Sequence, residues 1–342
     1  MSVFQILSFL VVMAIVVLLL FVLFKGAFSG VPFLNNYTGS NLNLSYTSVT
    51  TQVYVTHNQT IAYALSLINQ DRAKFGLAPV SLSNETSAQQ HSDSMLSNKY
   101  FSHWDVYGMK PYMRYTLLGG RGAVSENIAY LYNSSGINVY NAIKTMEYNF
   151  MYNDAACCNN GHRDNILNQY HNQVSIGVIY NDTSVYFTED FIDNYIQWIG
   201  GTPQAFPNDT VALKGVIAGG YSLSSVQIAY DQPPRNITPA ALGLQPYNGS
   251  YSYGPIVAGL GYTKGNSYYY YDNITTINAT EYAISGQNFN VVFNLTKLDR
   301  QYGAGVYTVL VNLDNGTKSP FLGSTYSIFI NSQGHIYTPT GV

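Results

Sequence analysis

Three short stretches of the sequence carry side chains that are suited to chemistry. The run Gly161-His162-Arg163-Asp164 places an imidazole, a fixed cation and a carboxylate in consecutive positions. Upstream, His103 follows Phe101-Ser102, and Glu126 begins the run Glu126-Asn127-Ile128-Ala129. Imidazoles bind metal ions or shuttle protons, and carboxylates act as ligands, as bases or as groups that orient an imidazole. If the fold brings these stretches together, they form either a divalent-metal site or a hydrogen-bonded polar network.

Other reaction types find little support in the sequence. Ser102 and Ser125 lie beside the candidate residues, but neither is in a recognisable nucleophile turn. The glycines around Arg121 do not form a phosphate-binding loop. Nucleophilic catalysis and nucleotide chemistry are therefore not expected.

The two cysteines of the chain, Cys157 and Cys158, are adjacent. A bridge between neighbours closes a strained ring, because ordinary disulfides join Cα atoms that lie further apart than consecutive residues. Three interpretations remain open: a vicinal disulfide, two buried thiols, or soft metal ligands near His162.

Composition points away from nucleic acid and toward the outside of a cell. The 342 residues have a net charge of −3, and only 10% are charged; a nucleic-acid surface would be basic. Uncharged polar residues, including 32 tyrosines, must therefore provide solubility. Such a surface suits an acidic medium, where carboxylates lose their charge.

Glycosylation sequons Asn-x-Ser/Thr are spread along the chain beyond its first segment, which favours a glycosylated extracellular protein. Their asparagines are Asn36, Asn43, Asn58, Asn84, Asn133, Asn181, Asn208, Asn236, Asn248, Asn273, Asn278, Asn294 and Asn315.

The N-terminal residues 1–29 are predicted to hold a membrane anchor. Residues 3–24 contain only two polar side chains, Gln5 and Ser8. As a helix they would span about 33 Å, which matches a bilayer core of about 30 Å. We expect an uncleaved single-pass helix with the bulk of the chain outside the cell; the alternative is cleavage near residues 27–29. Residues 30–56 are rich in Asn, Ser and Thr, which is typical of a spacer.

Apolar periodicity predicts an α/β region after the spacer. Helices are expected over residues 60–75, 84–99, 110–118 and 139–152, with Ser83 as the N-cap of the second, and strands over 174–180 and 185–191.

The three stretches above, in this order among these elements, resemble the CAP superfamily, also called the SCP or pathogenesis-related-1-like domain, and its prokaryotic branch in particular. The resemblance covers residues 57–200 and implies a three-layer α/β/α sandwich. It also implies a cleft lined by two histidines and two glutamates. His103 and His162 match the two histidines, and Glu126 matches one glutamate. Glu147 lies on the helix that carries the other, although the Trp that many relatives place one turn earlier is absent.

These assignments predict His103 and His162 as ligands of a divalent metal ion, with zinc as the candidate, and Glu126 and Glu147 as catalytic groups. Imidazoles with open coordination positions suit zinc.

The C-terminal part, residues 203–342, shows short β-rich runs separated by turn residues and no convincing helix. This pattern predicts an antiparallel β-sandwich, loosely immunoglobulin-like. Three functional interpretations follow, because a CAP resemblance implies fold better than activity. The first is a cell-surface binding module: the cleft holds a metal, small ligand or lipid, and the β domain contacts envelope components. The second is a metal-assisted hydrolase of peptide, ester or glycan. A structural envelope glycoprotein with a degenerate cleft is the third interpretation.

Overall fold

The computed structural model describes residues 57–264, 267–269, 271–316 and 319–339. The predicted anchor and spacer, residues 1–56, lie outside them. Within the described residues, none of the helices combines the length and the apolar character needed to cross a bilayer. Ten of the eleven sequon asparagines between Asn58 and Asn315 are exposed, and Asn294 is half-buried.

A four-stranded sheet in the order β1-β3-β4-β2 forms the centre of the first region, with β1 parallel and the other pairs antiparallel. Its elements are α1 (His57–Lys74), β1 (Ser81–Leu82), α2 (Ser87–Asn98), α3 (Pro111–Leu117), β2 (Ala123–Tyr132), α4 (Val139–Tyr152), α5 (Ala155–Cys158), α6 (Gly161–Ile166), β3 (Gln173–Tyr180) and β4 (Ser184–Asp193).

Successive side chains of each strand point to opposite faces of this sheet, and helices pack on both faces. Val174, Ile176 and Val178 of β3 pack in one core with α1 and α4. Gly177 points to the other face, where the backbone of Ala88 on α2 occupies the space that a side chain would fill. The predicted mixed α/β fold is therefore confirmed.

The second helix begins later than predicted. Ser83 is the expected N-cap, but its hydroxyl accepts the N–H of Glu85 at 3.2 Å in a local turn. The helix starts at Ser87 instead. A short Ser or Thr hydroxyl bonds a neighbouring amide in a turn as readily as it caps a helix, so the sequence does not distinguish the two.

Arg72 ties the end of α1 to the loop that follows α6. Its buried guanidinium donates to the carbonyl oxygens of Ile166, Asn168 and His171 at 2.7–3.1 Å. Hydrogen bonds from a charged donor contribute more than neutral ones. Arg72 thus fixes the segment that carries His162.

Two further sheets build the C-terminal region, and the prediction that it is β-rich is confirmed. One has the order β10-β9-β8-β14-β15-β16 with β11 beside β9, and the other β12-β13-β7-β5 with β6 beside β7. The strands are β5 (Ile196–Trp198), β6 (Gln204–Ala205), β7 (Thr210–Ile217), β8 (Ser222–Asp231), β9 (Ile256–Lys264), β10 (Ser267–Tyr269), β11 (Thr275–Asn278), β12 (Glu281–Ser285), β13 (Asn288–Asn294), β14 (Gly305–Asp314), β15 (Phe321–Ile330) and β16 (Ile336–Tyr337).

The two sheets share one apolar core, to which Leu213, Phe293 and Val309 contribute. All described pairs are antiparallel except β11 with β9, which is parallel. An immunoglobulin-like topology stays a prediction.

The expectation that this region has no helix was wrong. It contains α7 (Pro239–Leu242) and α8 (Thr296–Tyr302). Both are too short to show a helical period in the sequence. In α7, the hydroxyl of Thr238 accepts the amide of Ala241 at 3.3 Å, a cap that precedes Pro239.

The sheet that contains β14 and β15 is buried on both faces. Tyr307 and Ile328 face the core between the two sheets, whereas Val306 and Phe329 pack with Met113 of α3. The C-terminal region therefore packs directly on the α/β region, next to the helix that positions the candidate site.

Candidate functional site

A cavity of about 370 Å³ lies at the edge of the first sheet, and three of the four predicted site residues line it: His103, Glu126 and His162. The other lining residues are polar or small for the most part: Ser125, Asn127, Cys158, Gly161, Asp164, Asn165, Asn168, Ser250 and Tyr251. The fourth predicted residue, Glu147, does not line this cavity.

His103 is fixed by the carboxylate of Glu126. Nδ1–H of His103 donates to Oε1 of Glu126 across 2.8 Å, and the other carboxylate oxygen accepts from Arg114 at 2.6 Å. Arg114 also donates to the carbonyl oxygen of His103 at 2.8 Å. Burial, followed by the Arg114 cation, lowers the pKa of His103 to about 3. The imidazole is therefore neutral and keeps a lone pair on one nitrogen.

His162 is fixed in the same way by a residue that the sequence did not single out. Asp154 accepts Nδ1–H of His162 at 2.6 Å through Oδ1, and through Oδ2 it accepts the backbone N–H groups of His162 at 2.8 Å and Arg163 at 3.2 Å. Phe150 of α4 stacks on the ring with 4.6 Å between centroids. The carboxylate thus caps the start of α6 and orients the imidazole at once.

Both cavity histidines share one property: within the described residues, their Nε2 atoms have no hydrogen-bond partner, while Nδ1 is bound to a carboxylate. His171 provides a contrast. Its Nδ1 lies 2.6 Å from Asp193 and its Nε2 lies 2.8 Å from Asn165, so neither nitrogen is available. His91 is buried, and its Nε2 lies 2.9 Å from the carbonyl oxygen of Ser102.

Tyr251 completes the cavity from the C-terminal region. Its ring lies 4.9 Å from that of His103, and its hydroxyl accepts the backbone N–H of Glu126 at 2.9 Å. Nearby, the hydroxyl of Ser102 donates to the carbonyl oxygen of Tyr247 at 2.6 Å. No local pattern around Tyr251 could reveal this contact, because 125 positions separate it from Glu126.

Glu147 is buried near Glu189, whose Oε2 accepts from Asn127, a residue that lines the cavity. Neither carboxyl oxygen of Glu147 has a hydrogen-bond partner among the described residues. Burial and the Glu189 carboxyl raise the pKa of Glu147 well above its usual value, and burial raises the pKa of Glu189 to about 7. Both buried acids therefore hold their protons to a higher pH than usual, and Glu147 does not line the cavity.

The adjacent cysteines form a disulfide, Cys157–Cys158. Of the three interpretations of this pair, the structure has the vicinal disulfide. Cys158 lines the cavity beside His162.

Residues 65–191 match the CAP family, described as the cysteine-rich secretory protein family. The predicted CAP domain is confirmed over these residues, which include His103, Glu126, Asp154 and His162. No curated protein sequence matches the chain.

Three solved structures with partial similarity come from bacteria. An extracellular protein containing an SCP domain from Bacillus anthracis is 23% identical over 41% of this chain and 44% of its own, with a TM-score of 0.31. An outer surface protein from Borrelia burgdorferi is 14% identical over 40% of this chain and 96% of its own, with a TM-score of 0.32. A cysteine-rich secretory protein from Staphylococcus aureus is 16% identical over 42% of this chain and 41% of its own, with a TM-score of 0.30. The chain spans less than half of the Bacillus and Staphylococcus proteins.

Proposed function

We propose that the CAP domain binds a divalent metal ion through His103 and His162, and that the ion holds a small polar ligand in the cleft. One observation carries this proposal: both imidazoles line one cavity, and in each a carboxylate binds Nδ1 and leaves Nε2 without a partner among the described residues. Metal-ligating histidines are oriented in this way, because the bound carboxylate fixes the ring and raises the basicity of the ligand nitrogen.

The low pKa of His103 supports a metal ligand over a proton shuttle. A group that stays neutral across the physiological range does not exchange protons there, but its lone pair remains available to a cation. Two protein nitrogens leave coordination positions for water or a ligand, an arrangement that zinc accepts.

The lining of the cavity favours a polar ligand over a lipid. Asn127, Asn165, Asn168 and Ser125 offer amide and hydroxyl groups, which bind carbonyl, hydroxyl or amide groups of a ligand. A lipid would need an apolar wall.

A binding role fits the carboxylates better than a hydrolytic one. Both oxygens of Glu126 are engaged, one by His103 and one by Arg114. A general base needs a free oxygen within reach of the attacking water. Glu147 does not line the cleft. Metal-assisted hydrolysis is therefore the second candidate, and it would require Glu126 to leave one of its partners.

We propose that the protein acts outside the cell, held to the membrane by residues 3–24, with the region from 203 onward as a β domain that contacts envelope components. The exposure of the sequon asparagines supports glycosylation of this surface.

Calorimetric titration of the full chain with Zn²⁺, with the disulfide intact, tests the metal site. We expect one equivalent to bind, and His103→Ala or His162→Ala to abolish the binding. His335→Ala is the control, because His335 is exposed in the C-terminal region. Binding that survives both cleft substitutions would refute the proposal, as would no binding to the unsubstituted chain. Turnover of peptide, ester or glycan substrates that requires His103 would favour the hydrolase.

A further inference from the structure

Four side chains at the start of α6 form a second group with the composition of a metal site. One ligand atom from each of Asp154, Cys157, Cys158 and His162 lies within 4.8 Å of the others. Two sulfurs, one imidazole and one carboxylate make a donor set that suits zinc and softer divalent ions such as cadmium.

In the oxidised chain the sulfurs cannot act as thiolate ligands, because they are bonded to each other. The thiolate, not the disulfide, is the soft metal ligand. We propose that Cys157–Cys158 is a redox gate: reduction of this disulfide creates a site for one thiophilic divalent ion, bound by both sulfurs together with Asp154 and His162.

Reduction by an external dithiol balances the reaction. A thiolate of the reductant attacks one sulfur of the pair, the S–S bond breaks, and its electron pair leaves on the other cysteine as a thiolate. The second thiol of the reductant then attacks the reductant's own sulfur in the mixed disulfide, and the remaining cysteine leaves as a thiolate. The reductant becomes a disulfide, and the chain gains two electrons and two protons. Binding of the cation releases the thiol protons to water.

The local structure leaves one cysteine of the disulfide accessible to a reductant. Cys157 is exposed, so that a reductant can reach its sulfur, whereas Cys158 faces the cavity. Asp154 is buried and already close to the pair, with its Oδ1 3.6 Å from Sγ of Cys157. The same carboxylate holds the ring of His162 at 2.6 Å. Asp154 and His162 therefore lie beside the pair before reduction, and Oδ1 of Asp154 must give up its hydrogen bond from His162 to bind the ion. Both cysteines lie on α5, which is a single short turn.

This inference does not rest on the proposed cleft function, although the two sites share His162. Substitutions distinguish the two sites. His103 is a proposed ligand only in the cleft, and the cysteines are proposed ligands only in the gated site. If both sites operate, reduction diverts His162 from the cleft ion to the sulfur-bound ion.

The test is a titration with Cd²⁺, read by the ultraviolet charge-transfer band of cadmium thiolate. The full chain is measured oxidised, and again after reduction with dithiothreitol and anaerobic removal of the reductant. We expect no band from the oxidised chain and a band that saturates at one equivalent from the reduced chain. Cys157→Ser with Cys158→Ser should abolish the band, and Asp154→Asn or His162→Ala should weaken the affinity.

His103→Ala is the matched control and should leave the band unchanged, even if it abolishes zinc binding in the cleft. Three results would overturn the proposal: a disulfide that dithiothreitol does not open, a reduced chain with no saturable band, or cadmium affinity that Asp154→Asn and His162→Ala leave intact. The last result would assign binding to the thiols alone. Far-ultraviolet circular dichroism of each variant establishes that it is folded.

Discussion

Glu126 and Asp190 are direct partners in the antiparallel register of β2 and β4, so that two buried carboxyl groups lie side by side on one face of the sheet. Arg114 neutralises Glu126, and the hydroxyl of Ser87 donates to Asp190. Burial, followed by the Glu126 charge, raises the pKa of Asp190 to about 8, and burial raises the pKa of Glu126 to about 7. At neutral pH, Asp190 is thus the protonated acid of the pair. Glu126 is the carboxylate that accepts the hydrogen bond from His103.

The pairing predicts a protein that is more stable in acid. Unfolded Asp and Glu have pKa values near 4. The folded values of Asp190, Glu126 and Glu189 are raised to about 8, 7 and 7. The folded state therefore keeps protons on these acids between these limits, and each acid lowers stability by about 1.4 kcal/mol per pH unit as pH rises. The lowered pKa of His103 has the opposite effect below about pH 6.5, so the fall in stability is clearest above that pH. The stabilisation from these three protonated acids is complete below about pH 4 and is lost as the pH rises through 7 to 8.

Urea unfolding of the full chain at pH 3, 5, 7 and 9 measures this effect. Asp190→Asn keeps the shape of the side chain and removes its proton, so its stability should depend less on pH, with the largest gain over the unsubstituted chain at pH 9. A free energy of unfolding that increases from pH 4 to pH 8 would contradict this account of the buried acids. The same result would mean that the buried acids give no reason to expect adaptation to an acidic medium.

Removing the cation of the cluster should be costly. Arg114→Met leaves the buried Glu126 carboxylate without its 2.6 Å partner. Breaking a buried ion pair from one side costs about 3–5 kcal/mol, so we expect a loss of this size at pH 8. The loss should shrink at pH 4, where Glu126 is protonated in either protein. Arg235→Met, at an exposed position, is the control. Equal losses at the two pH values would show that packing, rather than charge, is the function of Arg114.

Tyr251 tests the contribution of the C-terminal region to the cleft. Tyr251→Phe keeps the ring against His103 but removes the acceptor of the Glu126 N–H. A buried donor without a partner costs about 1–3 kcal/mol, and we expect this loss in urea unfolding together with weaker zinc binding. Tyr247→Phe should change neither, since the Tyr247 hydroxyl has no hydrogen bond in the described part of the chain. Unaltered stability of Tyr251→Phe would mean that water replaces the hydroxyl.

Gly177 is required by the close approach of α2 to the sheet. A Cβ on Gly177 would overlap the carbonyl oxygen of Ala88, which belongs to helix backbone and cannot move aside alone. Gly177→Ala should therefore destabilise the protein by about 3 kcal/mol or more, beyond ordinary overpacking. Gly161→Ala is the comparison: it starts α6, and a Cβ added there would meet nothing within 4 Å. We expect Gly161→Ala to change the free energy of unfolding by less than about 1 kcal/mol. If Gly177→Ala does not lower the free energy of unfolding, α2 must be able to shift along the strand.

The fold was predictable where side-chain periodicity is strong. The helix predicted over residues 139–152 is α4, with the same bounds, because Ile143, Met146 and Phe150 repeat at helical spacing and are buried. The two long strands predicted after α6 are also present, and the structure extends each by one or more residues. Element ends were less predictable: Ser83 has the chemistry of a cap and uses it in a turn.

The site was only partly predictable from the sequence. His103, Glu126 and His162 come together as their motifs suggest, since each motif is local. Asp154 and Tyr251 act through contacts that folding creates, and neither carries a local signature. Glu147 lies on the expected helix but does not line the cleft, because apolar periodicity predicts the helix and not which of its buried side chains reaches the cavity.

We have proposed that His103 and His162 bind one ion together. The most direct measurement is nitrogen-15 NMR of the histidine rings in the oxidised full chain during a zinc titration. We expect the Nε2 signals of His103 and His162 to shift in parallel and to reach their end points at one equivalent. Both nitrogen signals of His171 should stay in place, because Asp193 and Asn165 hold that ring. Signals that do not move, or that move for one of the two cleft rings alone, would contradict a shared metal site.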